Sequence, residues 1–88
     1  MSRRSWPEWW DWELELSAHL LKRMDDRGFI EIELRVMLAR AKRLRRDIVT
    51  GRWRVETTSR RRRRDVIVEP DPAATRLLVI TAYPVWGT

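Results

Sequence analysis

The 88-residue sequence predicts a single α+β domain. We expect a short N-terminal strand, two helices and an antiparallel meander of about four strands, with the helices packed on one sheet face. Two observations predict this class. Apolar residues recur at helical spacing in the first half of the chain, and they alternate with polar residues at strand spacing in the second half.

The sequence divides into a tryptophan-rich segment, residues 1–13, and the domain itself, residues 14–88. The run Ser5–Glu8 has the form of a capping box with proline in the first turn, which predicts a short helix or turn over Pro7–Trp10. Apolar and acidic residues then alternate over Trp12–Leu16, the period of a half-buried strand. We expect the tryptophans to cover one end of the core, because the neighbouring carboxylates would repel the phosphates of a base-stacked nucleic acid.

A first helix is predicted from Ser17 to Gly28. Serine caps unpaired N–H groups of a first helical turn, and glycine ends helices without steric cost. One arc of this helix is apolar and faces the core: Leu20, Leu21 and Met24. His19, the only histidine of the chain, is followed at four-residue spacing by Arg23 and Arg27. These three residues lie along the rim of the apolar arc, and this rim is the candidate site.

A second helix follows, with a buried stripe at the spacing i, i+3, i+4, i+7: Leu34, Met37, Leu38 and Ala41. Glu31 lies one turn before Arg35. Four basic residues stand at or beyond the end of this helix: Lys42, Arg43, Arg45 and Arg46. Cations at a helix C-terminus are stabilised by the helix dipole, and this effect alone would account for the cluster.

From Asp47 onwards the period is that of strands. The alternation predicts four of them, at Ile48–Thr50, Trp53–Thr58, Asp65–Glu69 and from Thr75 or Arg76 to Tyr83. A turn at Gly51 joins the first two, and a loop over Ser59–Arg64 contains five consecutive arginines. Pro70–Pro72 is expected to form a turn. Both faces of the last strand are largely apolar, so we expect it to be central in the sheet.

The formal net charge is +6, and seventeen of the nineteen basic residues are arginine. A positive surface attracts polyanions, and guanidinium groups bind phosphate in bidentate fashion, so nucleic acid is the expected partner. Nucleotide bias in the host genome would also raise arginine over lysine without any binding role. There is no cysteine, and the longest apolar run, Leu77–Ile80, is far shorter than the roughly 20 residues of a membrane span. We therefore expect a cytoplasmic protein without membrane contact.

No cofactor or metal is expected. One histidine and scattered carboxylates do not make a cluster of metal ligands. The three glycines stand far apart, so no glycine-rich loop is available to hold a nucleotide phosphate.

Four features in order resemble a family of small bacterial domains grouped with the barnase, EndoU, colicin and RelE-like (BECR) fold. They are His19-x-x-x-Arg23-Met24-x-x-Arg27-Gly28, a second helix opening with Glu31, a hairpin at Gly51-Arg52-Trp53, and a last strand ending Val79-Ile80-Thr81-Ala82-Tyr83. The resemblance covers about Leu14 to Pro84, and the fold includes many metal-independent ribonuclease toxins. It implies an endoribonuclease whose active cleft is lined by His19, Arg23, Arg27, Thr81 and Tyr83.

Metal-free RNA cleavage needs a base for the ribose 2′-hydroxyl, cations for the phosphate and an acid for the leaving oxygen. His19 would act as the base or the acid, because imidazole is a common proton carrier in enzymes, and Arg23 and Arg27 would stabilise the phosphate. Because the chain has one histidine, the second proton carrier would be Tyr83, Glu56 or a hydroxyl. Seven further arginines would follow the RNA backbone outside the cleft: Arg52, Arg54, Arg60, Arg61, Arg62, Arg63 and Arg64.

Three functions are therefore open. The first is a toxin-type ribonuclease (a hydrolase in a toxin–antitoxin pair), held in check by an acidic antitoxin or immunity protein. The second is a nucleic-acid-binding or regulatory module on the same scaffold without catalysis. The third is a protein-interaction domain that docks through the tryptophan-rich start. Each predicted site residue also has an ordinary structural explanation: a helix-start histidine, arginine stems over apolar surface, and strand-forming Thr81 and Tyr83.

Overall fold

The computed structural model describes residues 6–27, 30–59 and 61–84, with the backbone alone for Arg27, Tyr83 and Pro84. After a 3₁₀ turn at Glu8–Asp11, the elements are β1 (Glu13–Leu16), α1 (Ala18–Arg27), α2 (Glu31–Ala39), β2 (Arg43–Arg46), β3 (Trp53–Ser59), β4 (Arg62–Asp71) and β5 (Arg76–Pro84). The predicted α+β class is confirmed.

The five strands form one mixed sheet in the order β1-β5-β4-β3-β2. Strands β2 to β5 pair antiparallel, whereas β1 pairs parallel with β5, with Glu13 opposite Arg76 and Leu16 opposite Val79. The prediction of a four-stranded antiparallel meander is corrected by this fifth, parallel strand. The physical reason is the free edge of β5, whose backbone groups β1 satisfies while burying Leu14 and Leu16 beside the core. The last strand was predicted to be central; β5 lies inside the sheet between β1 and β4, and the middle strand of the five is β4.

Both helices pack on one face of the sheet. The buried cluster joins residues of α1 and α2 to every second residue of the inner strands: Leu20, Met24, Leu34, Met37, Leu38, Ala41, Val55, Val66, Val68, Leu77, Val79 and Ala82. Leu21, predicted in the apolar arc of α1, is 52% exposed, because it lies at the edge of that arc rather than over the sheet.

Successive strand residues point to opposite faces, so a second surface faces away from the helices. We call it the charged face. It carries, among others, Arg43, Arg45, Arg54, Glu56, Arg63, Asp65, Ile67, Glu69, Arg76, Glu13 and Glu15. No helix covers this face within the described ranges, and most of its side chains are therefore ionised groups.

The first strand of the meander lies earlier than predicted. The sequence placed it at Ile48–Thr50 and assigned the preceding arginines to the end of α2, but α2 ends at Ala39 and the strand is Arg43–Arg46. Leu44 decides the register, because it lies opposite Val55 and packs against the core, and the N–H of Lys42 donates to the carbonyl of Glu56 (2.8 Å). Ile48 is 97% exposed in the following turn.

Two other predicted loops are partly strand. The Ser59–Arg64 loop shrinks to the connection between β3 and β4, and β4 continues through Pro70 to Asp71. Pro70 is tolerated there because the last β3–β4 pair is Trp53 with Val68, so the missing N–H costs no bond to β3.

The start of α1 is fixed by Ser17, as predicted. Its hydroxyl accepts a hydrogen bond from the N–H of Leu20 (3.0 Å) and donates one to the carbonyl of Ile80 (2.7 Å). One side chain thus caps the helix and ties it to β5. Gly28, the predicted helix end, lies outside the described residues.

The tryptophans of the N-terminal segment pack against the core, as predicted: Trp6, Trp9, Trp10 and Trp12. The ring of Trp9 lies 5.5 Å from that of Trp53 at the start of β3. The helices of the described ranges, ten and nine residues long, are too short to cross a bilayer.

We expect Thr57→Val to lower the free energy of unfolding by about 1 kcal/mol. The buried Thr57 hydroxyl donates to the carbonyl of Met37 in the last turn of α2, and valine keeps the shape but not the donor. Thr58→Val is the matched control, since Thr58 is half-buried on the opposite face, and its effect should stay within about 0.5 kcal/mol. Urea unfolding followed by circular dichroism measures both. Equal effects would contradict a role for the Thr57 hydroxyl.

Candidate nucleic-acid interface

The β3–β4 hairpin projects arginines from one end of the sheet. Ser59 pairs with Arg62 and Thr58 with Arg63, so only Arg60 and Arg61 connect the two strands, and Arg60 lies outside the described residues. Arg61 has a φ of 66°, the left-handed conformation of a tight connection. Arg61 and Arg62 are exposed. Most of the predicted arginine loop is thus paired strand, and a short connection remains.

A second basic segment reaches the same end of the sheet. It runs from the end of α2 into β2 and contains the exposed residues Arg40, Lys42 and Arg43. Arg43 lies opposite Glu56 in the sheet. Glu56 is three residues before the end of β3, which corresponds to about 10 Å of strand. The tip arginines and this segment therefore share one end of the domain.

We call these five residues the basic end: Arg40, Lys42, Arg43, Arg61 and Arg62. None of them forms an ion pair with a residue that the structure describes. Six other arginines do form such pairs: Arg35, Arg45, Arg52, Arg54, Arg63 and Arg76. Seven carboxylates match those six arginines. The charges of these paired groups nearly cancel, so the excess positive charge of the chain is carried by residues outside these ion pairs.

Two of the predicted RNA-binding arginines are held by carboxylates on the charged face. Arg54 lies between Asp65 (2.7 Å) and Asp47 (3.2 Å), and its side chain is 27% exposed. Arg52 donates from Nε to Glu69 (3.1 Å). A phosphate would have to displace these carboxylates. Arg54 in particular neutralises two carboxylates that are almost completely buried, so its position indicates a structural role.

Glu56 is placed between two guanidinium groups. Its Oε1 lies 3.2 Å from Nη2 of Arg63, and its Oε2 lies 2.6 Å from Nε of Arg45. Asp65 stands directly opposite Glu56 on the neighbouring strand. Glu56 Oε2 is buried with Arg45 as its ion-pair partner, and Asp65 Oδ1 is buried and accepts no hydrogen bond within the described part of the chain. A buried carboxylate oxygen without a donor is uncommon in proteins, which makes this pair of carboxylates a candidate site.

The sequence pointed to Glu56 only as one of several proton carriers and did not point to Asp65 or Arg45. The signal was present as a period of two: Arg54 and Glu56 on β3, and Arg63 and Asp65 on β4. It becomes informative only once the register of the hairpin is known.

The residues predicted to line the active cleft are distributed over both faces of the sheet. His19 and Arg23 are exposed on α1, on the helix side, and neither side chain forms a hydrogen bond or ion pair with a described residue. Thr81 lies opposite Ile67, whose neighbours Val66 and Val68 point to the helices. Thr81 therefore belongs to the charged face. Ser17, at the start of α1, bonds to Ile80, which directly precedes Thr81 in the sequence. The helix nevertheless lies on the opposite face of the sheet from the Thr81 side chain.

Two members of the predicted cleft are described by their backbone alone. Arg27 is the last residue of α1, and Tyr83 lies opposite Asp65 in the sheet. Their side chains are outside the described part of the structure. The predicted roles of His19, Arg23, Arg27, Thr81 and Tyr83 remain predictions.

A polar cavity of about 310 Å³ lies at the far end of β3, lined by Arg46, Asp47, Arg52 and Trp53 among others. The guanidinium of Arg46 lies 5.2 Å from the centre of the Trp53 ring. Trp9 also packs on this ring. Because Trp53 already has these two neighbours, it offers little ring surface to a nucleobase, and we place the candidate interface at the basic end.

We expect Arg54→Met to lower the free energy of unfolding by about 3 kcal/mol, because it leaves Asp47 and Asp65 buried without a cation. Arg35→Met is the matched control, since Arg35 forms an exposed pair with Glu31 on α2, and it should cost less than about 0.5 kcal/mol. Adding Asp65→Leu to Arg54→Met should recover part of the loss. Chemical unfolding measures all three. A loss below about 1 kcal/mol for Arg54→Met would contradict the structural role.

Among known proteins, no family model, no curated sequence and no solved structure matches this chain. The candidate interface is therefore defined by its own geometry.

Proposed function

We propose that this chain binds nucleic acid, with RNA as its ligand, through the basic end. The supporting observation is that two segments, Arg40–Arg43 and Arg61–Arg62, bring exposed cations without described carboxylate partners to one end of the sheet. The remaining arginines of the charged face are neutralised by carboxylates. Charge at the basic end is thus available to phosphates, whereas most of the other positive charge of the sheet is not.

The geometry suits contact with a phosphate backbone. The hairpin tip is short and begins and ends in paired strand, so its arginines start from a fixed base and lose little backbone entropy on binding. Guanidinium groups bind phosphate oxygens in pairs, and each neutralised phosphate releases condensed counterions. The preference for RNA over DNA comes from the resemblance to the BECR fold. An acidic antitoxin or immunity protein would compete with RNA for the same cations.

We expect Arg61→Asn combined with Arg62→Gln to weaken RNA binding about tenfold at moderate salt. Asparagine suits the left-handed backbone at position 61. The slope of log Kd against log salt should also fall by about 1.4, about 0.7 for each lost phosphate contact on a single strand. Fluorescence anisotropy with a labelled single-stranded RNA at several salt concentrations measures both effects.

The control is Lys22→Gln with Arg35→Gln, which also removes two positive charges, but from the helices. It should change the affinity less than about threefold and leave the salt slope nearly constant. Binding that is independent of salt, or equal losses in the two double variants, would contradict the proposal. A labelled DNA of the same sequence tests the preference for RNA.

A ribonuclease remains the second candidate, and the placement of Glu56 favours it. A carboxylate between Arg45 and Arg63 places a proton acceptor beside two cations, which a bound phosphate would have to share with Glu56. In such a reaction the base takes the proton of the 2′-hydroxyl, the freed oxygen attacks phosphorus, and an acid protonates the departing 5′-oxygen. His19 on α1 is the other candidate for proton transfer, as the resemblance implies.

For RNA cleavage without divalent metal in which Glu56 transfers the proton, we expect Glu56→Gln to lower the cleavage rate about a hundredfold or more. His19→Ala tests the other site, and Glu69→Gln, which removes an exposed paired carboxylate, is the control. Gel analysis of cellular RNA in the presence of a chelator measures cleavage. Loss in Glu56→Gln alone assigns the reaction to the charged face, and loss in His19→Ala alone assigns it to α1. Intact RNA with the wild type would contradict the ribonuclease proposal while leaving the binding proposal untouched.

A further inference from the structure

The two edges of the sheet have opposite charge. Strand β1 forms one edge and has the sequence Glu-Leu-Glu-Leu, with the side chains of Glu13 and Glu15 76% and 51% exposed. Strand β2 forms the other edge and has the sequence Arg-Leu-Arg-Arg, with Arg43 and Arg45 exposed. Among the strands that the structure describes, each of these two pairs with a neighbour on one side only. An unpaired edge offers backbone donors and acceptors to another strand.

The strand directions allow the two edges to pair between copies of the chain. β1 runs parallel to β5, and β5, β4, β3 and β2 alternate in direction, so β2 runs opposite to β1. If a second copy continues the sheet with its helices on the same side, its β2 lies antiparallel to β1 of the first copy. This is the arrangement in which two short edge strands form a regular ladder.

The pattern of faces then selects a register. Leu14 and Leu44 both lie on the helix side of their strands and pack against the core. Placing Leu14 opposite Leu44 sets Glu13 opposite Arg45 and Glu15 opposite Arg43 on the charged face. A shift by one residue separates the two leucines and sets Leu14 opposite an arginine. A shift by two residues that sets Leu16 opposite Leu44 keeps one charge pair instead of two and sets Leu14 opposite Arg46, so the register with Leu14 opposite Leu44 satisfies apolar contact and charge best.

We propose that copies of this chain associate head to tail, with the acidic edge β1 of one copy against the basic edge β2 of the next. Charged edges commonly prevent sheet association, but here one edge neutralises the other instead of repelling it. Three of the four charged groups have weak existing partners or none among the described residues, whereas Arg45 is also held by Glu56 at 2.6 Å. Arg76 lies 4.0 Å from Glu13 and 3.4 Å from Glu15 at the exposed edge, and Arg43 has no described ion pair.

Such an interface is heterologous, because different strands meet. Each added copy presents a fresh edge, so association is open-ended unless the accumulated twist closes it. The weight-average mass should therefore rise steadily with protein concentration and fall with added salt, which screens the charge pairs.

The test uses one predicted pair, Glu15 and Arg43, in nucleic-acid-free protein. Glu15→Arg places two arginines opposite each other in the contact, and Arg43→Glu places two glutamates there. Each variant alone should self-associate about tenfold more weakly than the wild type at low salt. Sedimentation velocity over a range of concentrations measures the mass.

An equal mixture of the two variants should recover wild-type association. In alternate contacts of the mixture, the arginine introduced into one variant faces the glutamate introduced into the other. In the remaining contacts, the native Glu15 of one variant faces the native Arg43 of the other, so every contact again joins opposite charges.

Asp26→Arg is the matched control, because it makes the same charge change as Glu15→Arg on the exposed surface of α1. It should associate like the wild type. Both edge positions are exposed, and circular dichroism verifies that the variants are folded. A wild type that stays monomeric to about 1 mM at low salt overturns the proposal, since that concentration corresponds to a very weak interaction. A mixture that associates no better than its components also overturns the proposal. The same holds if the Asp26→Arg control self-associates as weakly as Glu15→Arg.

Discussion

The structure depends on one constraint: two short helices cover only one face of a five-stranded sheet. The apolar residues of the inner strands are used on that face, where they meet Leu20, Leu34 and their neighbours. The other face must be stabilised without a second layer. The chain does this with ion pairs between adjacent strands, and the most deeply placed of them is Arg54 between Asp47 and Asp65. Removing water from Asp65 is tolerable because a cation lies against it.

Because of this constraint, the number of arginines does not by itself indicate how much positive charge is available for binding. Composition alone suggests a uniformly basic protein, whereas the structure divides the arginines into two groups. Apart from Arg43, those on the charged face offset carboxylates and hold the sheet together, and their contribution to binding a polyanion is small. Those at the basic end have no such partner among the described residues. The distinction depends on strand register, because a shift by one residue would exchange the paired and unpaired positions.

Local signals in the sequence predicted the elements whose determinants are local. Ser17 caps α1 because a hydroxyl three residues before Leu20 satisfies an N–H wherever the helix lies. The apolar character of both faces of β5 placed it inside the sheet. The position of β2 was missed because Ile48 and Val49 have the higher strand propensity, but only Leu44 reaches the core. The candidate site was harder to predict, since the partners of Arg52 and Arg54 lie up to 17 residues away and meet them only through hairpin pairing.

The place of β5 has a consequence for how the chain is made. Ser17 bonds to Ile80 across 63 residues, and within the described sheet β1 pairs with β5 alone. Strand β1 and helix α1 therefore leave the ribosome long before the strand that receives them exists. Until then the apolar side of α1 and the tryptophans around it are exposed to water, and incomplete chains are at risk of aggregation. Completion of the domain waits for its final strand, and folding is expected to be slow for so small a protein.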